Sequence, residues 1–255
     1  MYLDNKDKLI LCKWDIFNPY KELIAVFSTR KGGYSLKPYD TLNLGFTTED
    51  DSNKVKRNRI LFFETLSLSE SDSVTMTQVH GCDVLSVDKL GDAGIGDGLM
   101  TNEKNIFLCG TFADCSAVVV FDPIQKVVGL FHAGWMGLVC EIIKKGIEKI
   151  SKTYDVDVGN LLVGISPHIK SCCFEIKEDV ASQFDSKFLK RSKECGLYLN
   201  MEDVIVQQLC DMGVKVDNIE KSAFCTSCEE GLFYSYRRDK RETGRMVSLI
   251  GIKRD

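Results

Sequence analysis

Residues 106–137 constrain the fold more than any other part of the chain. The run "IFLCGTFADCSAVVVFDP" is strongly apolar on both sides of a polar break, Thr111 to Cys115. It is followed by "KVVGLFHAGWMG", apolar up to a histidine and then rich in glycine. Runs of this length and composition, bounded by turn residues, predict buried strands; the last one enters a turn at His132.

The flanking segments alternate between strand and helix signals. "LIAVFSTRKGGYS" predicts a strand running into a Gly-Gly loop, and "SVTMTQVHG" a strand ending at His80 and Gly81. A helix is expected from about Ser52, with Val55, Leu61 (beside Ile60) and Leu66 near one face. "LVCEIIKKGIEKI" repeats apolar residues at helical spacing with charge opposite. "NLLVGIS" predicts a strand, "PHIKSCCFEI" a cysteine-bearing link before a helix, and "LNMEDVIVQQLCDMGV" a helix capped by Asn200 and stopped near Gly213. The closing segment "GLFYSYRRDKRETGRMVSLIGI" suggests two strands around a charged turn. With no repeats and only 4 prolines in 255 residues, the expectation is one α/β domain over residues 1–255.

Charge and composition narrow the partners. The net charge of −4 provides no basic field, so neither a nucleic acid nor an anionic membrane is expected as partner. No apolar stretch approaches the roughly 20 residues of a membrane span. The N-terminus "MYLDNKDKLI" lacks a signal-like apolar core, and a cytoplasmic location is expected. The 11 cysteines are an odd number, and several sit in apolar runs (Cys109, Cys140, Cys210), so most are expected buried and reduced. Cys225 and Cys228 form a C-x-x-C pair with no second pair at zinc-finger spacing, read as structural.

Three apolar segments end at a residue that can bind metal: "TQVHG" at His80, "FADCS" at Cys115 and "HAGW" at His132. The long intervals exclude a compact zinc knuckle, whose ligand pairs lie roughly two to five residues apart. They suit a site assembled from strand ends. Two histidines, one cysteine and an open position make a catalytic zinc ligand set. A Cys–His nucleophilic pair is the other reading, with Cys115 as thiolate, His132 as base and Asp114 nearby.

The motifs "TRKGGYSLKPYDTLNLGF", Asn58-Arg59, "TQVHG", "DGLMT", "FADC", "HAGWMG", "CCFEI", "SYRRD" and "TGR" stand in one order from about Arg30 to Ile250. In this the chain resembles the laccase-domain family, also described as multicopper polyphenol oxidase-like proteins, purine nucleoside phosphorylases or peptidoglycan editing factors. The resemblance implies an α/β/β/α sandwich of mixed sheets and one zinc ion held by His80, Cys115 and His132. It implies phosphorolysis of adenosine, inosine and methylthioadenosine, and hydrolytic deamination of adenosine, with nucleoside and phosphate as small-molecule partners. A monomer or weak homodimer is expected. A peptidoglycan-precursor editing hydrolase is one alternative. A copper-dependent polyphenol oxidase is another, weakened by a total of only 3 histidines. Zinc that merely ties strands together is a third, favoured only if a fourth protein ligand exists.

Phosphorolysis needs a phosphate cradle, for which arginine is well suited. Arg30 beside Gly32-Gly33 is the first candidate, followed by Arg59, Arg238 and Arg245; the "KRETGR" turn is a further source of phosphate contacts. Asn43 and Gln78 are expected to hydrogen-bond a ligand, and Asp114 to act catalytically or orient a ligand histidine. Three positions depart from the family pattern. Met136 replaces an arginine, His168 stands where a cysteine or small residue is common, and Phe112 replaces an alanine.

Overall fold

The computed structural model describes residues 1–192, 196–240 and 242–254, so Cys195 and Arg241 of the "KRETGR" turn lie outside it. Two mixed sheets face one another. The first has seven strands in the order β1 (Tyr2–Lys6), β2 (Leu9–Lys13), β3 (Leu23–Ser28), β16 (Met246–Ile252), β8 (Phe107–Phe112), β4 (Ser73–Thr77) and β6 (Gly91–Ile95). The second has six, in the order β15 (Ile219–Lys221), β11 (Leu162–Ile165), β9 (Ser116–Asp122), β10 (Val127–Ala133), β7 (Gly98–Thr101) and β5 (Val84–Ser86). A small third sheet joins β12 (Glu175–Ile176), β14 (Leu197–Leu199) and β13 (Leu189–Arg191).

Helices cover both outer faces. Helix α1 (Ser52–Thr65) packs on the first sheet through Phe62, Phe63 and Leu66, against Leu11, Val26 and Leu249. Helices α2 (Trp135–Val139), α3 (Ile142–Tyr154), the single-turn α4 (Glu178–Ala181) and α5 (Met201–Asp211) lie on the side of the second. There Ile143, Ile147, Ile150 and Leu209 meet Val118, Phe131 and Val163. The architecture is the α/β/β/α sandwich. Among the described residues no helix is long and apolar enough to cross a membrane.

The pleat explains why the apolar runs are continuous. Val128 and Leu130 of β10 enter the layer between the sheets, whereas Phe131 and Ala133 enter the layer under the helices. Both faces of the strand are therefore dry, and the period-2 alternation of a one-sided strand disappears. Each fully buried Val, Leu or Phe stabilises the sandwich by about 1.5–3 kcal/mol relative to exposure. The break at residues 113–115 is where the chain leaves β8 in the first sheet and starts β9 in the second.

Helix starts follow local chemistry. The Asp51 carboxylate accepts the Asn53 N–H at α1, and the Asn200 amide oxygen accepts the Asp203 N–H at α5. Five expectations need correction. In α1 the buried face is Val55, Phe62 and Phe63, continued by Leu66; Ile60 is exposed, because a 3.6-residue repeat from Val55 passes it by. The chain turns at His132–Gly137 partly as the short helix α2. After "PHIKSCCFEI" comes a two-residue strand before the single turn of α4. At the C-terminal end only β16 is a strand. The first half of that segment is a series of turns, its N–H groups taken by Glu229, Ser235 and the Asp114 and Asp239 carboxylates rather than by a ladder. Of the described cysteines, Cys12, Cys109 and Cys225 are buried, whereas Cys140, Cys172 and Cys228 are exposed and the rest half-buried. Cys140 ends α2 on its outer side, which is why an apolar neighbourhood in sequence does not bury it.

Candidate metal centre

The sandwich brings three distant segments to one end of its seam. His80 follows β4 of the first sheet, Cys115 lies in the crossing from β8 to β9, and His132 lies near the end of β10 in the second sheet. His132 continues the inter-sheet row of Val128 and Leu130, so the pleat aims it between the sheets, beside the ring of Phe112 at 5.5 Å. Phe112 thus packs on a site histidine. The two imidazoles stand edge to face with centroids 4.8 Å apart. One ligand atom from each of His80, Cys115 and His132 lies within 4.8 Å of the others.

Asp97, fully buried, organises this arrangement. His132 Nδ1 is 2.8 Å from its Oδ1, and the carboxylate also accepts the backbone N–H groups of Val79, His80 and Gly81. His80 has φ +60°, and the cluster of N–H groups on one carboxylate holds that left-handed turn in place. Burial works against ionisation of Asp97, but the His132 ring and these amides hold its carboxyl below the usual range. With Nδ1 engaged, Nε2 is the ring atom His132 has left for a ligand.

Burial alone would push the Cys115 thiol up. The adjacent His132 charge and hydrogen bonds from both histidines bring it down to about 6. His132, whose ring burial alone would lower, is raised to about 9 by Cys115 and Asp97. The two shifts favour a thiolate–imidazolium pair, and a metal ion would displace the proton that the pair shares. Gly134 completes the fit: a Cβ there would stand 2.9 Å from Cys115 Sγ and 3.4 Å from His80 Cδ2. The missing side chain leaves room for the two ligands to approach each other. Two imidazoles and one thiolate match the donor preference of zinc or copper and leave coordination positions open for a non-protein ligand. Among the described residues this group has three members, and His168 is not one; it is buried, with Nδ1 on the Ser166 carbonyl at 2.8 Å.

The three residues form part of the wall of a cavity of about 900 Å³. Its other walls include Trp135, Met136, Ile169, Phe174, Met201 and Tyr236, together with the cationic Arg237, Lys240 and Arg245. Arg237 lies over the Phe174 ring and donates to the Glu175 carbonyl; Arg245 lies over Tyr236. Burial lowers the Arg245 guanidinium below its ordinary value.

The remaining expected site residues divide between cavity and scaffold. Gln78 and Asp114 line the cavity, with their polar atoms already engaged. The Gln78 amide binds both the N–H and C=O of Thr111, spanning β4 and β8. The Asp114 carboxylate accepts from Thr226 Oγ1, Ser235 Oγ and the Arg237 N–H, and the histidine is oriented by Asp97 instead. Burial pushes the Asp114 pKa up despite these bonds.

Arg30, Asn43 and Arg59 do not line this cavity. Arg30 is bonded to Asp40 and the Glu230 carbonyl and covers the Tyr234 ring; beside it, space for a Gly33 Cβ is filled by the Thr41 carbonyl and Asn58. Asn43 is fully buried and holds Thr48, Asp50 and the Gly45 and Arg245 N–H groups. Arg59 pairs with Glu70 and caps the Leu44 carbonyl, while Arg238 binds Asp239 and three backbone carbonyls. The sequence reading missed Asp97 and Arg237, whereas Lys240 opens the "KRETGR" turn already named for phosphate contacts. Asp97 opens the "DGLMT" motif and Arg237 stands in "SYRRD", so both lay in noted motifs without an assigned role.

Comparison with known proteins identifies the family. The family model described as "Multi-copper polyphenol oxidoreductase laccase" matches residues 24–253. A relative from Bacillus subtilis (strain 168), named purine nucleoside phosphorylase YlmD, is 32% identical over 250 residues, covering 91% of this chain and 90% of its own. The YlmD relative from Geobacillus stearothermophilus is 34% identical over 251 residues, covering 91% of both chains. The crystal structure of that YlmD superposes with a TM-score of 0.91 at 29% identity over 98% of both chains. A hypothetical protein YfiH from Bacillus licheniformis gives 0.90 at 30% identity, covering 96% of this chain and 97% of its own. The chain belongs to the multi-copper polyphenol oxidoreductase laccase family.

Proposed function

We propose that this protein is a zinc-dependent purine nucleoside enzyme. It cleaves adenosine, inosine and methylthioadenosine with phosphate and hydrolytically deaminates adenosine to inosine. The observation that carries the reading is the convergence of His80, Cys115 and His132 on one cavity with Arg237, Lys240 and Arg245. The names of the relatives support the substrate class.

His80, Cys115 and His132 hold the metal, and when bound it supplies Lewis acidity that polarises a ligand oxygen near neutral pH. Asp97 fixes the tautomer and direction of His132. Trp135, Phe174 and Tyr236 offer flat apolar faces to a purine ring, and their burial of the ligand excludes water. Arg237, Lys240 and Arg245 attract phosphate and balance its charge as it approaches the anomeric carbon. Asp114 acts as a positioning residue, tying the Arg237 backbone and the Thr226 hydroxyl to the segment that bears Cys115.

The test is to incubate the metal-analysed protein with adenosine, with and without phosphate, and to separate the products by chromatography. The expected result is phosphate-dependent release of adenine together with inosine, both lost in His80→Ala and Cys115→Ala. Retained turnover in both variants overturns the metal role. Adenine release without phosphate makes the enzyme a nucleoside hydrolase. No nucleoside turnover, alongside cleavage of a muropeptide precursor or oxidation of a phenol by the copper-loaded protein, replaces the reading with one of those activities.

A further inference from the structure

Cys225 and Cys228, which the sequence leaves without a second pair, acquire one in space. The link after β11 runs beside the 222–226 segment: His168 and Cys225 form a parallel bridge, and the Thr226 N–H donates to the His168 carbonyl. The link then closes a turn in which the N–H groups of Cys173 and Phe174 both reach the Lys170 carbonyl. That turn delivers two adjacent thiols to the C-x-x-C pair. Cys172 Sγ and Cys173 Sγ lie 3.6 and 3.3 Å from Cys228 Sγ, and all four sulfurs lie within 4.8 Å of one another.

These separations are far longer than the about 2.05 Å of a disulfide bond. They are close to the roughly 3.8 Å between sulfurs on a tetrahedral ion with metal–sulfur bonds of about 2.3 Å. Cys225, the buried member, also accepts the Lys170 N–H at 3.4 Å. Cys172 and Cys228 are exposed, which gives an incoming ion a path.

We propose that Cys172, Cys173, Cys225 and Cys228 bind a second metal ion, zinc, in a closed tetrathiolate site whose role is structural. Four protein sulfurs leave no position for substrate. The ion clamps two segments that each serve the cavity. Phe174, next to Cys173, is part of its wall, and the Glu175 carbonyl holds Arg237. Thr226, inside the C-x-x-C pair, donates to Asp114 beside Cys115. The site stands whether or not the enzyme acts on nucleosides, because none of its ligands belongs to the His80 group.

Metal analysis of the full chain, purified without chelator, tests it. With two ligand groups, two zinc equivalents per chain are expected. Cys172→Ser with Cys228→Ser removes one and leaves the other; His80→Ala does the reverse. Cobalt-substituted protein is expected to show sulfur-to-metal charge transfer that keeps its thiolate-rich component in His80→Ala and loses it in the serine variant. Should that variant fail to fold, alkylation of the native protein decides. Cys172 and Cys228 are exposed, so reagent reaches them; with an ion held, chelator is expected to accelerate their alkylation, and a rate that chelator leaves unchanged overturns the proposal. One equivalent of metal that vanishes with His80, or a mapped Cys173–Cys228 disulfide in never-reduced protein, also overturns it.

Discussion

His132 Nδ1 meets Asp97 Oδ1 at 2.8 Å, and the same carboxylate gathers the N–H groups on either side of His80. One buried acid thus sets the direction of both histidines. Asp97→Asn keeps the size but exchanges an acceptor oxygen for a donor facing other donors. It is expected to weaken zinc binding about 10–100-fold, read by competition with a chromophoric chelator. Unchanged affinity would falsify the orienting role.

Gly134→Ala probes the space between the ligands. Its methyl would stand 2.9 Å from Cys115 Sγ, so the expected outcome is loss of the metal equivalent that depends on His80, with little change in far-ultraviolet circular dichroism. Gly231→Ala, where a Cβ meets nothing within 4 Å, is the control and retains metal.

The cavity's charge can be moved one unit in either direction. Lys240→Ala removes a cation from its wall, and Met136→Arg adds one where the side chain is 39% exposed. A unit charge about 4 Å from a second one in water is worth about 1 kcal/mol, so the KM for phosphate should rise several-fold in the first and fall in the second. If both variants leave that KM unchanged, phosphate does not enter this cavity.

Asp114 has φ +85°, a conformation that asparagine shares more readily than alanine. Asp114→Ala leaves Thr226, Ser235 and the Arg237 N–H without their acceptor. The expected loss is at least about 1–3 kcal/mol in urea unfolding, as for a buried donor left unpaired. Asp114→Asn should recover much of it; equal losses would point to charge rather than acceptor geometry.

Asp239 gives a pH dependence remote from the metal ligands. Burial opposes its ionisation, but the bidentate Arg238 pair and the Thr243 hydroxyl hold its pKa below the ordinary 3.8. A depressed folded-state value means stability that is fully present above pH 3.8 and lost as pH falls through the folded value. Asp239→Asn should therefore cost stability at pH 7 and progressively less below pH 4. A wild-type-to-variant gap that is constant with pH refutes the linkage.

The strands and the three residues that cluster at the seam were legible in the sequence because each depends on local pattern. Apolar runs mark the strands, and His80, Cys115 and His132 are polar residues at their ends. What pairs across the fold was not legible. Asp97 reveals its role only when β7 lies beside β10, and Cys172 with Cys173 becomes a partner of Cys225 only after the chain returns past β11. Arginines were the hardest to place. Arg30 and Arg59 read as anion binders by residue type, yet both spend their donors on backbone carbonyls and acids of the scaffold, a choice that burial makes and sequence spacing does not encode.

The three ligand residues come from both leaves of the sandwich and from the crossing between them. An ion captured there would clasp the two leaves together. Because it binds only the assembled leaves, a hundredfold excess over its dissociation constant deepens the folded state by about 2.7 kcal/mol. With the proposed ion bound, metal supply would therefore bear on how much of the chain stays folded as well as on its activity.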